Sequence, residues 1–166
     1  MKQLYYKIDK CLGCKSCEIA CSLAHSESGD LLKAIRQTLR PLTRKKVLFS
    51  EGKNYPLSCR SCKDPKCMDA CMAGAITVDR QKRISHDNQR CVGCWMCVMV
   101  CPFGAIRPDI QAKIPLRCDR CTDKPRLSSE SGLYLKEGRG EDEPACVRAC
   151  PTAAIVWQEE IEVRVD

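Results

Sequence analysis

The sequence predicts an α+β chain built from one small unit used repeatedly: a cysteine loop, a one-turn helix, then a short strand or hairpin. Three observations predict it. The 166 residues hold sixteen cysteines, which fall into four groups of four with none left over. Three groups lead into similar phrases: C-M-A-G-A-I at 71–76, C-P-F-G-A-I at 101–106 and C-P-T-A-A-I at 150–155. Only two Phe and two Trp are present, so an aromatic core is not the stabiliser. Metal ligation can replace such a core, because it couples directly to folding. The chain without metal is therefore expected to be largely unfolded.

Taken in order, Leu4 to Ile8 reads as a short strand entering the first cysteine loop. Ser16 to Ser26 suits a short helix carrying Cys17 and Cys21. Asp30 is placed to cap a second helix with Leu31, Leu32, Ile35 and Leu39 on its apolar face, ended by Pro41. Lys46 to Ser50 reads as a strand and Gly52 to Asn54 as a turn. Ala75 to Val78 and Arg83 to Ser85 read as a hairpin, and Ala105-Ile106 pairs with Ile114 to Leu116 in the same way. Ala154 to Trp157 is strand-like, and Ile161 to Val165 alternates apolar and polar. The Gly or Ala before the last Ala of each repeat suggests close backbone approach. Two insertions, 22–58 and 122–145, interrupt the repeats; loops this long are often functional.

The cysteine spacing carries the chemistry. Group one is Cys11, Cys14, Cys17 and Cys21, and group three is Cys91, Cys94, Cys97 and Cys101; both read C-x2-C-x2-C-x3-C. Group two is Cys59, Cys62, Cys67 and Cys71, with four residues in its middle gap. Group four is Cys118, Cys121, Cys146 and Cys150, with a 24-residue gap. Four sets of four thiolates are the ligand count for four [4Fe–4S] clusters, and the x2, x2, x3 run ending in Pro is the bacterial ferredoxin run. Three closely spaced cysteines wrap one cubane from a loop. The fourth lies one helical turn on, about 6 Å along the axis at 1.5 Å per residue, which points it toward a neighbouring cluster. In two-cluster ferredoxins the fourth cysteine ligates the other cluster.

Other cysteine chemistries fit less well. A disulfide framework suits a small secreted chain, and these tight runs are poorly placed for bridging. Structural zinc favours paired C-x-x-C knuckles separated by a longer gap; only group four has that form. A radical SAM site needs C-x3-C-x2-C, and the required positions hold Ala24, Gly74 and Gly104 instead. No Ser/His/Asp set, phosphate loop or open metal triad appears, so the chain is read as a non-enzyme.

The formal charge of +7 counts cysteines as neutral. A cubane with four thiolates carries about −2, so four would bring the loaded protein to about −1. The basic residues thus offset the cofactors and argue little for nucleic-acid binding. No apolar stretch approaches the roughly 18 residues of a membrane span. No secretory or twin-arginine signal precedes Cys11. Free thiolates imply a reducing compartment, so a cytoplasmic location is expected, with any membrane association made through a partner.

The phrases C-K-S-C-E-I-A-C-S-L-A-H-S, C-R-S-C-K-D-P-K-C-M-D-A-C and C-V-G-C-W-M-C-V-M-V-C-P-F-G-A-I resemble the four-cluster ferredoxin-like electron-transfer subunits. That family includes the iron–sulfur partners of molybdopterin oxidoreductases, formate hydrogenlyase and carbon monoxide dehydrogenase. The resemblance covers nearly the whole chain and is strongest to the carbon monoxide dehydrogenase and formate hydrogenlyase branch. It implies tandem bacterial 2[4Fe–4S] ferredoxin-like units and an electron wire. Low-potential electrons would pass one at a time from a catalytic subunit, most like carbon monoxide dehydrogenase, to a hydrogenase or flavoprotein. A formate dehydrogenase or other molybdopterin enzyme is the alternative donor. A zinc-stabilised scaffold or nucleic-acid module is the alternative class.

The resemblance also implies ligand swapping. Cluster 1 takes Cys11, Cys14, Cys17 and Cys150; cluster 2 takes Cys118, Cys121, Cys146 and Cys21. Cluster 3 takes Cys59, Cys62, Cys67 and Cys101; cluster 4 takes Cys91, Cys94, Cys97 and Cys71. Groups one and four then form one half of a single 1–166 protein (1–30 with 116–160), and groups two and three the other (56–112). On spacing alone a pairing of groups three and four stays open, since the Cys101–Cys118 gap is shorter than Cys71–Cys91. Two features depart from the pattern: Cys21 and Cys71 lack a following Pro, and the gap in group four is long.

Outside the cysteines, His25 reads as a polar surface or capping residue and His86 as a solvent-facing strand residue. Met68, Met72, Met96 and Met99 read as filler around the clusters, and Trp95 as a shield from water. The run Arg36, Arg40, Arg44, Lys45, Lys46 reads as a solvated face. Lys15, Ser16, Lys63 and Asp64 border a docking surface if exposed.

Overall fold

A computed structural model describes residues 2–37, 42–79, 83–121, 127, 131–136, 138, 140 and 142–159. Strand β1 (Lys2–Tyr6) runs into a 3-10 turn at Ile8–Lys10 and the first cysteine loop, then helix α1 (Ser16–Ala24). Helix α2 (Leu31–Arg36) follows, capped by Asp30, whose carboxylate accepts from the Lys33 N–H at 2.8 Å. The cap was legible; the apolar face was not. Leu32 and Ile35 are exposed and only Ala34 is buried, while Leu39 and Pro41 lie outside the described residues.

Strands β2 (Lys46–Ser50) and β3 (Lys53–Leu57) form a hairpin. Its tip, Glu51 and Gly52, has φ of 49° and 74°, the paired positive φ of a tight hairpin turn. The turn therefore ends before Lys53, and β3 replaces the turn expected at 53–54. Asn54 and Pro56 are poor strand formers and conceal it in the sequence.

The second and third groups each give a one-turn helix and a hairpin. Helix α3 (Lys66–Asp69) precedes β4 (Ile76–Val78) and β5 (Ile84–His86), with Ile76 opposite His86. Helix α4 (Met96–Met99) precedes β6 (Arg107–Asp109) and β7 (Ile114–Leu116), with Arg107 opposite Leu116. Strand β6 begins two residues later than expected because the Ala105 N–H is turned toward Cys101 Sγ. Helix α5 (Ala145–Arg148) carries Cys146, and β8 (Ile155–Glu159) returns to pair antiparallel with β1, Tyr6 opposite Ile155. The stretch expected as a strand at 161–165 lies outside the described residues.

The core follows this connectivity. Cys17, Val47, Cys146, Val147, Cys150 and Ile155 form one buried cluster under the β1–β8 pair. Ala20, Leu23 and Ala24 of α1 meet Ala145 and Ala149 in and after α5, where small side chains let the two helices approach. Cys67, Ile76, Ile84, Cys97 and Ile106 form a separate core for groups two and three. Cys17, Cys67, Cys97, Cys146 and Cys150 thus sit inside the apolar cores, and Cys11, Cys59, Cys71, Cys101 and Cys121 pack against them.

Candidate metal centres

Each cysteine loop is bent by residues in the left-handed region. Gly13 and Lys15 have φ of 70° and 59°, Gly93 and Trp95 have 69° and 63°, Ser61 has 49°, and Arg120 and Cys121 have 60° and 54°. Such reversals gather backbone N–H groups on one side and make concavities for anions. At Gly93 the bend is also tight: an added Cβ would lie 2.8 Å from the Lys113 carbonyl oxygen.

The repeated phrase after the fourth cysteine has a shared geometry. Gly74, Gly104 and Ala153 have φ of 58°, 58° and 53°. The next N–H then donates back to a sulfur: Ala75 to Cys71 at 3.3 Å, Ala105 to Cys101 at 3.4 Å and Ala154 to Cys150 at 3.2 Å. The small residue serves this left-handed turn; at Gly104 no atom lies within 4 Å of an added Cβ, which corrects the expected close approach there. Group one lacks the phrase, and Cys21 Sγ accepts instead from the Arg44 N–H at 3.3 Å.

The sulfurs gather in sets that cross between groups. Cys59, Cys62, Cys67 and Cys101 line one cavity. Cys71, Cys91, Cys94 and Cys97 line another, together with Trp95. Cys11 packs against the core containing Cys17, Cys146 and Cys150; Cys14 is exposed, and its Sγ lies 3.4 Å from Ser16 Oγ. Burial pushes the Cys121 thiol up to about 12 and Cys118 well above its ordinary value, with Cys146 and Cys21 adding to both. Burial likewise raises Cys17 to about 12 and Cys67 to about 11, opposed at Cys17 by Lys45 and at Cys67 by Arg117. Neutral buried thiols become stable anions only when a positive centre binds them.

The donor set fits iron–sulfur clusters. Four cysteines line each of two cavities, N–H groups already point at four of the sulfurs, and buried donors await acceptors. Arg117 donates Nη2–H to the Ile84 carbonyl at 2.6 Å, while its buried Nε and Nη1 have no partner among the described residues. Cluster sulfides are acceptors suited to such donors.

Several side chains differ from expectation. The side chain of His25 is only 5% exposed. Its Nδ1 donates to the Cys21 carbonyl at 2.7 Å and its Nε2 to Asp119 at 3.0 Å. Both partners only accept, so the ring is an imidazolium. Burial alone would lower its pKa, but Asp119 and Cys21 raise it to about 9. Arg44 completes the group by pairing with Asp119. His25, Asp119 and Cys121 lie near one another, yet both His25 nitrogens are spent as donors, so the trio is no separate metal site. The expected solvated basic face is therefore half wrong: Arg36 and Lys46 are exposed, but Arg44 is ion-paired and Lys45 is 2% exposed, while Arg40 lies outside the described residues.

His86 is partly buried, with Nδ1 2.9 Å from Asn88 Oδ1. Met68 packs against the second core, but Met72 and Met99 are 88% and 79% exposed and fill nothing. Lys15, Lys63 and Asp64 are exposed, and Ser16 is half-buried. Lys45, Arg117 and Asp119 were missed as site residues. The one signal available was the surplus of positive charge, which gives a number of cations but not their positions.

Comparison with known proteins agrees with this chemistry. Residues 8–24 and 84–107 each match a family described as "4Fe-4S binding domain". The chain is 40% identical over 155 residues to an "Iron-sulfur protein" of Rhodospirillum rubrum, covering 92% of this chain and 79% of that one. It is 36% identical over 157 residues to "Electron transport protein HydN" of Escherichia coli (strain K12), covering 89% and 82%. It is 27% identical over 146 residues to "Thiosulfate reductase electron transfer subunit PhsB" of Salmonella typhi, covering 88% and 69%. Sulfur-lined pockets, N–H groups aimed at sulfur and these relatives lead to one conclusion: the chain belongs to the ferredoxin-like 4Fe-4S electron-transfer family and is an iron–sulfur electron-transfer protein.

Proposed function

We propose that the chain holds four [4Fe–4S] clusters and relays electrons one at a time between a catalytic redox partner and an acceptor. When bound, the clusters supply one-electron transfer. The ligand sets are Cys11, Cys14, Cys17, Cys150; Cys118, Cys121, Cys146, Cys21; Cys59, Cys62, Cys67, Cys101; and Cys91, Cys94, Cys97, Cys71. The observation that carries this reading is the crossing of cysteines between groups: Cys101 lies with group two and Cys71 with group three. Cys21 and Cys146 act together on Cys118 and Cys121, and Cys150 lies with Cys17. Division into two halves, 1–30 with 116–160 and 56–112, is supported by the β1–β8 pair and by the separate cores.

The chain's own residues would hold the ligands and set the potentials. Backbone N–H groups stabilise four of the sulfurs as anions. Trp95 lines the cavity of Cys91, Cys94 and Cys97 and limits water there. Exposed Cys14 and Cys94 bring two ligand sets to the surface, where electrons would enter or leave.

The relatives' names favour a partner enzyme, since one of them is the electron transfer subunit of thiosulfate reductase. A carbon monoxide dehydrogenase donor with a hydrogenase or flavoprotein acceptor rests on the sequence resemblance alone. Among the described residues no helix is long and apolar enough to cross a membrane, so contact with a membrane complex would run through a partner. Anaerobic affinity capture from the native host, with mass spectrometry, tests the assignment. Recovery of carbon monoxide dehydrogenase supports the specific donor. Recovery of a formate or other molybdopterin enzyme keeps the relay and replaces the donor. Capture of no redox enzyme contradicts the relay.

A further inference from the structure

Two buried cations lie beside the cysteine cores, Lys45 at the core that holds Cys17 and Cys146 and Arg117 at the core that holds Cys67 and Cys97. Lys45 is 2% exposed. Its Nζ lies 3.4 Å from Tyr6 Oη and 4.7 Å from the centre of the Tyr6 ring. Tyr6 is itself held by a hydrogen bond to Ser58. Tyr6 packs against the core of Cys17, Cys146 and Cys150, and the Lys45 charge favours the thiolates of Cys146, Cys17 and Cys118. Arg117 is 6% exposed and donates to the carbonyl of Ile84, which packs in one core with Cys67 and Cys97; Cys59, Cys67, Cys97 and Asp119 all favour its charge. Neither cation makes an ion pair with a carboxylate among the described residues.

A buried charge is strongly unfavourable unless something compensates it. A tyrosine ring and hydroxyl compensate an ammonium only in part. The cysteines beside each cation come from two different ligand sets. Lys45 sits on Tyr6, which packs against the core holding Cys17 of one set and Cys146 of another. Arg117 is hydrogen-bonded to Ile84, which packs in the core holding Cys67 of one set and Cys97 of another. The arrangement is the same at both cores although the two cations differ in type and in position along the chain.

We propose that Lys45 and Arg117 are fixed counter-charges, Lys45 shared by the two clusters of groups one and four and Arg117 by the two clusters of groups two and three, each raising the reduction potentials of that pair. The proposal rests on the four-cluster reading above. Each reduction adds one electron and so one negative charge to a cluster, and a nearby cation favours the more negative state. Because each cation lies beside a core that holds cysteines of two ligand sets, its removal should act on two clusters and spare the other two.

The test is an anaerobic redox titration followed by electron paramagnetic resonance on the intact protein, with iron and sulfide counted on each sample. Lys45→Met should make two clusters at least tenfold harder to reduce, about 59 mV for a one-electron couple, and leave two unmoved. Arg117→Met should shift the complementary two. Lys45→Arg and Arg117→Lys should keep potentials close to wild type. A neutral variant that does not load supports the proposal only when its charge-preserving counterpart loads fully; failure of both overturns it. Fully loaded neutral variants with unmoved potentials, or with all four shifted alike, also overturn it. A wild-type protein without four clusters refutes the four-cluster reading instead, and its iron count separates the two failures.

Discussion

Replacing Gly93 and Gly104 by alanine, one at a time, separates two reasons for glycine near a cluster. Both residues have positive φ, 69° and 58°. An L-residue there costs roughly 1–2 kcal/mol. At Gly93 the new Cβ also meets the Lys113 carbonyl oxygen at 2.8 Å and its Cβ at 3.2 Å. Backbone cannot swing away as a side-chain tip can, and such overpacking adds roughly 1–3 kcal/mol. Gly93→Ala should therefore cost about 2–5 kcal/mol, and Gly104→Ala, with open space around it, only about 1–2 kcal/mol. The chain supplies its own control: Ala153 occupies the equivalent turn with φ of 53°. The assay is the guanidinium midpoint for loss of visible absorbance under anaerobic conditions, with iron counted beforehand. Gly93→Ala should bleach earliest and arrive deficient in iron; Gly104→Ala should load fully. Equal effects of the two substitutions, or a Gly93→Ala protein within about 0.5 kcal/mol of wild type, would refute the reasoning.

Three further outcomes follow from the structure. The Asp119–His25 pair should make stability depend on pH. The His25 contribution is fully present below its ordinary 6.5 and is lost as pH rises through about 9, whereas the Asp119 contribution is present above 3.8 and lost as pH falls through about 2. Asp119→Asn should cost about 1.5–3 kcal/mol near neutrality and flatten the alkaline limb, measured as the rate of iron loss between pH 6 and 10; an unchanged limb contradicts the pair. Anaerobic chelation should abolish most far-ultraviolet circular dichroism, because cysteines occupy the cores. Reloading should run faster at pH 9 than at pH 7, since thiols must give up protons to bind; a folded, compact metal-free chain is the contrary result.

The sequence was most informative where chemistry constrains spacing. Four cysteine groups, the hairpin between Ile76 and His86 and the α1 helix were all readable from it. The repeat phrase was visible, though its cause, a left-handed turn that aims an N–H at sulfur, was not. Positions decided by distant partners were hidden. Lys45 sits in a run of surface-like basic residues, and only the fold reveals that it turns inward against Tyr6 at the core of Cys17 and Cys146. Met72 and Met99 lie near ligands in sequence, yet the turn after α3 carries Met72 outward and α4 carries Met99 outward. Pairing of β1 with β8 joins residues more than a hundred positions apart, and no local pattern encodes it. Strand β3 was lost because Pro56 is tolerated there, in a two-stranded hairpin with a free edge.

The count of iron and acid-labile sulfide per chain, on protein purified without oxygen, tests the central claim most directly. Four clusters predict a brown protein with about sixteen of each. A colourless protein carrying zinc and no sulfide would contradict the account.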